Sequence, residues 1–134
     1  MRFAGYAAIF DHVDRGGDVV RPGAFARAVR AGPKAVPLLW QHDPGRPIGR
    51  IEYLAEDRRG LRVIGRLSMA DAAAREAAVA LRAGSVEGLS FGYRVRRSVD
   101  RTNRELMDLD LVEVSLVTFP MQPKARVHAV AGDD

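Results

Sequence analysis

Cysteine is absent from the 134 residues, which excludes disulfides, thiolate metal sites, iron–sulfur clusters and thiol nucleophiles at once. Lysine is scarce too: Lys34 and Lys124 are the only two, so the formal charge of +4 is carried by arginines scattered along the chain. No apolar run approaches the length needed to cross a bilayer. The apolar stretch Phe3 to Phe10 lacks the long hydrophobic core and the cleavage site of a secretory signal. A soluble, cytoplasmic protein with no membrane partner is the expectation. Repeats, low-complexity linkers and internal breaks are missing as well, so a single domain over 1–134 is expected, with a short flexible tail at about 131–134. The 47% apolar content and the mean hydropathy of −0.14 are those of a globular protein. A chain of this size buries roughly two-thirds of its unfolded surface, enough for a core without metal or bridges.

Strand signals dominate. Arg2 to Phe10, Val36 to His42, Ile48 to Leu54, Leu61 to Leu67, Leu89 to Val95, Leu106 to Thr118 and Arg126 to Val130 read as seven strands. Asp11, Asp14, Gly16, Gly17 and Asp18 read as a loop. A short helix is expected over Ala24 to Ala31, stopped by Gly32-Pro33, and a longer one over Met69 to Ala83, opened by the capping box Ser68-Met69-Ala70-Asp71 and closed at Gly84. Ala70, Ala74, Ala77 and Leu81 form its apolar face. About seven strands and a few helices predict an α+β domain, and a sheet of that many strands in so short a chain is expected to curl into a small closed β-barrel.

Three polar residues break the strand patterns. His42 ends the alternation Val36, Leu38, Trp40, His42 and so continues an apolar face, either as a half-wet strand-end histidine or as a functional one. His12 and His128 lack such a setting. Ser90 lies on the face that Gly88 and Gly92 share, opposite Leu89, Phe91, Tyr93 and Val95. Glycines in a strand mark a bulge or the close approach of another backbone, and a peptide laid there would find Ser90 bare. Glu113 is the sharpest anomaly: Leu109, Leu111 and Val117 on one face and Val112, Val114 and Leu116 on the other leave it in a strand that reads as covered on both sides. A carboxylate there costs several kcal/mol unless it is paired, with a histidine or with one of the arginines. Ser115, on the same face, is either its hydrogen-bonding partner or a small core residue. A serine hydroxyl attacks poorly until an imidazole takes its proton, and a buried carboxylate fixes that imidazole's tautomer, so the three types together permit nucleophilic catalysis.

The segments Asp14 to Phe25, Pro37 to Asp43 with Pro47-Ile48-Gly49, Gly88 to Tyr93 and Leu111 to Thr118 resemble, in order, the blocks of the tailed-phage prohead maturation proteases, a family found also in phage-derived gene transfer agents. The resemblance runs from about Gly5 to Val130. It implies a fold similar to the herpesvirus assembly proteases, a closed β-barrel wrapped by helices. It also implies a serine endopeptidase inside the assembling procapsid that cleaves the scaffold segment of the major capsid protein and usually itself. Carried over, His42 is the general base, Ser90 the nucleophile and Glu113 the third member, with Asp43 as the alternative. The oxyanion hole would fall in Phe119 to Lys124, where Pro120 and Pro123 carry no N–H, leaving the amides of Met121 and Gln122. No metal or other cofactor is implied, and the herpesvirus relatives suggest a homodimer by analogy.

Two other classes compete: a noncatalytic capsid-assembly or scaffold-binding module that pairs strands with a partner's edge, and a basic nucleic-acid-binding barrel using Arg94, Arg96, Arg97, Arg101 and Arg104. Few aromatics accompany those arginines, which reads better as a solvated hairpin tip.

Overall fold

The computed structural model describes residues 1–132. Eight strands form one sheet: β1 (Arg2–Ile9), β2 (Asp18–Val20), β3 (Pro37–Trp40), β4 (Asp43–Glu56), β5 (Gly60–Leu67), β6 (Gly88–Asp100), β7 (Arg104–Val117) and β8 (Val127–Ala131). Two helices, α1 (Ala26–Ala31) and α2 (Ala72–Ala83), accompany them. The sheet runs β2-β7-β3-β4-β5-β1-β8, with β6 paired along β7. The fold is therefore α+β as expected, with one strand more.

The expected closed barrel is not completed by a ladder. β6 at one side and β8 at the other meet only through an isolated bridge, Gly88 to Arg126, with Leu89 N–H on Ala125 O at 2.9 Å and Val127 N–H on Glu87 O at 2.8 Å. The reason is reach. β8 has only five residues and pairs with β1, while β6 beyond Tyr93 runs on along β7 alone, away from β8. Leu89 is fully buried and Phe91 nearly so, but Val95 is exposed, so the apolar face expected over Leu89 to Val95 ends at Tyr93.

β7 is the hub. It carries β6 on one edge, and on the other the parallel strands β2, level with Arg104 to Leu106, and β3, level with Val114 to Leu116. β2 starts at Asp18, the last residue of the expected loop, and is not among the expected strands; three residues are too few to show alternation. The core packs Phe3, Leu38, Ile48, Leu61, Val63, Leu89, Leu106, Leu109 and Leu116 from the sheet against Phe25 and the alanine face of α2.

α2 starts three residues later than expected. Asp71 is its N-cap with no side-chain cap bond, so the capping box at Ser68 does not form and Ala70 lies outside the helix; Ala74, Ala77, Ala78 and Leu81 make the buried face. Its end is as read, with Gly84 left-handed at φ 75°. The expected tail overlaps the end of β8 at Ala131, and residues 133–134 lie outside the described residues.

Candidate active site

The β6–β7 register sets Ser90 opposite Ser115 and Gly92 opposite Glu113. Directly opposed residues of an antiparallel pair project to one face, as do residues two apart on a strand. Ser90, Glu113 and Ser115 therefore share one patch of the sheet. The flanking glycines have steric reasons of this chain's own: a Cβ on Gly92 would stand 2.7 Å from Glu113 Oε1, and one on Gly88 would stand 2.8 Å from Pro120 Cδ.

β3 delivers the histidine, though not as a strand residue. The strand stops at Trp40, which pairs with Asp43, and Gln41 and His42 form the two-residue turn between β3 and β4 with φ of 53° and 62°. Two successive positive φ values match the twist of a tight hairpin but are uncommon without glycine. Gln41 offsets the strain with three bonds: its N–H donates to Leu116 O at 2.9 Å, its Nε2 to Thr118 Oγ1 at 2.7 Å, and its Oε1 accepts from Thr118 N–H at 3.1 Å. The period-two reading that ran the strand through His42 had no signal for this turn.

Glu113 is buried at 7% exposure, and both its oxygens are engaged. Oε1 meets His42 Nδ1 at 2.5 Å, and Oε2 accepts from Ser115 Oγ at 2.5 Å. Ser115 Oγ in turn accepts the His42 backbone N–H at 3.1 Å, closing a ring of three residues. The partner is thus a histidine rather than an arginine. A carboxylate only accepts, so Nδ1 carries the proton and Nε2 is left with its lone pair. That hydrogen bond and the carboxylate's charge hold the His42 pKa above the ordinary histidine value, against a smaller opposing effect of partial burial. Val112 is exposed, so β7 is covered on one side only at this level. Glu113 is on the covered side, which is why it needs its partners.

His42 and Ser90 line one cavity of about 410 Å³, together with Arg15, Gly16, Phe119, Pro120 and Met121. Ser90 is 6% exposed, less open than a bare strand serine, and shares its cavity with His42 and the Phe119–Met121 segment. A second, more apolar cavity of about 470 Å³ also contains His42 and is walled by Pro37, Leu39, Pro44, Tyr93 and Val112. Asp43 is not brought to the histidine ring; its Oδ1 accepts from Gly45 N–H at 2.8 Å in a local turn. Of the two amide candidates, Met121 lines the Ser90 cavity. Gln122 is buried instead, its side chain bonding both backbone groups of Ile9 at 2.8 and 2.9 Å. Arg15 and Gly16 were missed by sequence reasoning, since a glycine-rich turn shows no sign of what it will face. Arg15 N–H bonds Met121 O at 3.1 Å and ties that turn to the cavity wall.

The arginine cluster does flank a hairpin tip, and three of its members are ion-paired: Arg96 with Asp110 at 3.0 Å, Arg101 with Glu105 at 2.9 Å and Arg104 with Asp18 at 2.7 Å. Among the described residues no cluster of three or more potential metal ligands occurs, and no helix is long and apolar enough to cross a membrane.

A base held in one tautomer beside a strand serine is the working arrangement of serine hydrolases. Residues 1–133 match the family model described as Caudovirus prohead serine protease, and the chain belongs to that family. It is 34% identical to the prohead protease of Enterobacteria phage HK97 across 98% of this chain and 61% of that protein. It is 27% identical to the capsid polyprotein of Pseudomonas phage PAJU2 across 90% of this chain and 19% of that protein. The chain thus spans about three-fifths of the first relative and a fifth of the second. Among solved structures, the bacteriophage T4 capsid assembly protease has a similar fold, with a TM-score of 0.67 at 16% identity over 87% of this chain and 80% of that one. So does KSHV protease, solved with a hexapeptide phosphonate inhibitor, with a TM-score of 0.65 at 15% identity over 99% of this chain and 65% of that one.

Proposed function

We propose that the chain is a serine endopeptidase of capsid maturation, with Ser90 as nucleophile, His42 as general base and Glu113 as the carboxylate that orients the base. The observation that carries this reading is the 2.5 Å contact between His42 Nδ1 and Glu113 Oε1 on an imidazole that shares a cavity with Ser90. Ser90 Oγ attacks the substrate carbonyl carbon as its proton passes to His42 Nε2, and the carbonyl π pair moves onto oxygen. Collapse breaks the C–N bond, and His42 returns the proton to the leaving amine. Water then repeats the sequence on the acyl ester, regenerating Ser90. Main-chain amides of Met121 and Gln122 are the proposed donors to the oxyanion; the Gln122 clamp on Ile9 supports this by fixing the segment they belong to.

The substrate we propose is the scaffold segment of a major capsid protein precursor, and the enzyme itself, inside the assembling procapsid. The prohead protease relative at 34% identity and the capsid polyprotein relative at 27% support this. The test is incubation of wild-type and Ser90→Ala proteins with the cognate capsid precursor, followed by mass spectrometry of the products. Cleavage by wild type alone is expected. Equal cleavage by the variant would remove Ser90 from the mechanism, and binding without cleavage by either protein would favour a noncatalytic assembly module.

A further inference from the structure

A cavity of about 600 Å³ is lined by none of the residues that line the Ser90 cavity. Its walls are basic: Arg59, Arg62, Lys124 and Arg126, joined by Tyr6 and His128. Two carboxylates belong to its surroundings, and both have other work. Asp57 accepts from Tyr6 Oη at 2.5 Å and from the backbone N–H groups of Arg59 and Gly60 at 2.8 and 3.1 Å. Glu87 pairs with Arg126 at 2.8 Å. Among the described residues Arg59, Arg62 and Lys124 close no ion pair with a carboxylate, although Asp57 attracts Arg62 from nearby. Arg62 lies 3.4 Å from His128 Nε2 and also acts on the Tyr6 hydroxyl. Like charges gathered in a concave site raise the local potential, which attracts anions. We propose that this cleft binds an acidic peptide segment, carboxylates facing Arg62 and Lys124, and serves the enzyme as a substrate-docking site; the second half of that statement rests on the protease reading above.

Tyr6 decides between peptide and nucleic acid. Single-stranded nucleic acid is held by stacking its bases on free aromatic faces. The Tyr6 ring already has the Arg59 guanidinium over it at 5.3 Å from the centroid, and the His128 ring against it at 5.8 Å. A carboxylate-bearing peptide needs no such face. The position of the cleft explains what docking there would serve. Pro123, Lys124 and Arg126 wall the basic cleft, and Phe119, Pro120 and Met121 wall the Ser90 cavity, so one run of eight residues lines both. Gln122, fixed to Ile9 by two hydrogen bonds, is the anchor between them. Arg126 Nε holds Pro123 O at 2.7 Å and stiffens the cleft side of the run. A chain docked by its acidic stretch is thereby held close to the serine.

The test uses full-length Ser90→Ala protein, in which peptide binding is read without cleavage. Fluorescence anisotropy follows a labelled octaglutamate peptide, an octaglutamine control and an eight-residue oligothymidylate at low salt. Saturable binding of octaglutamate alone is expected, weakening as salt rises. Exposed ion pairs contribute severalfold each to affinity, so Arg62→Ser combined with Lys124→Ser is expected to weaken binding about tenfold. Arg96→Ser with Arg97→Ser, on the hairpin, serves as the charge-matched control and is expected to leave binding unchanged. No saturable octaglutamate binding, equal loss in both double variants, or tighter binding of the oligothymidylate would overturn the proposal. Failure of capsid precursor cleavage by wild type would instead strike the protease reading and leave the binding result standing.

Discussion

In the mechanism proposed above three side chains carry the chemistry, and each has a distinct signature. His42 needs to be neutral to accept the Ser90 proton, and Glu113 raises its pKa. The pH profile of kcat/KM should therefore rise with a midpoint above the usual histidine value of about 6.5. Glu113→Gln should move that midpoint down and cut kcat by roughly a hundredfold to ten-thousandfold, as expected when the tautomer and the imidazolium lose their support. An unchanged midpoint in the variant would break the assignment. The same shift has a sign for stability: a pKa raised by folding stabilises the native state at pH below the unfolded value, and that contribution fades as pH rises through the folded one. Ser115 bonds both other members of the ring. Ser115→Ala leaves an oxygen of buried Glu113 short of a donor, at a cost of about 1–3 kcal/mol. Denaturant unfolding checks this, and kcat should fall with it as the histidine turn loosens. Of the proposed catalytic residues, Ser90 and Glu113 stand out in the sequence by their place in strand patterns and His42 by the block that resembles a known family, since His42 itself sits in a turn and not on the strand face. Whether Ser115 acted as bonding partner or filler stayed open, since a serine fits either place. Asp43 turns to Gly45 instead of to the ring; adjacency in sequence says nothing about which carboxylate a ring will reach.

At the scale of elements, the site depends on how strands meet. Gly92 exists to admit the Glu113 carboxylate, so Gly92→Ala must push Oε1 away from a Cβ placed 2.7 Å from it. We expect overpacking of about 1–3 kcal/mol and a larger proportional loss of kcat than of folding midpoint. Kinetics and urea unfolding of the same variant measure both, and full activity would show that the carboxylate's position is not critical. Most strands were readable from alternation, and most errors came from punctuation. The strand expected from Ile48 begins five residues earlier, at Asp43, and takes in Pro44, Gly45 and Pro47, where register shifts along the β3 pairing absorb them. The helix start at Ser68 matched a capping pattern, but the chain folds with Asp71 at that place. The His42 turn was invisible because its stability comes from Thr118 and Leu116, far along the sequence.

For the whole molecule, the sheet is a scaffold that binds β2, β3 and β6 to one long strand and so brings residues 42, 90 and 113 together. Part of its charge is paired internally. Asp18 is held by Arg104, and Glu105 by Arg21 and Arg101; these hydrogen bonds and charges set both carboxyl pKa values below their ordinary range, against the opposing effect of burial. Groups whose pKa falls on folding stabilise the native state above their unfolded values, near 3.9 for Asp and 4.3 for Glu, and that contribution is lost as pH falls below them. Thermal unfolding should therefore show a melting temperature that drops on acidification below about pH 5, and less steeply in Arg104→Ala, in which the Asp18 contribution is already missing. Curling of the sheet was anticipated, and full closure was not achieved, because closure depends on strand reach, which local alternation does not encode.

The central claim is that His42, oriented by Glu113, activates Ser90. The most direct measurement is covalent labelling with a peptidyl phosphonate, which captures an activated serine, followed by peptide mapping of wild type and His42→Ala. The account predicts one adduct, on Ser90, in wild type and its loss in the variant. An adduct on Ser115 or elsewhere, or undiminished labelling of Ser90 without His42, would contradict it.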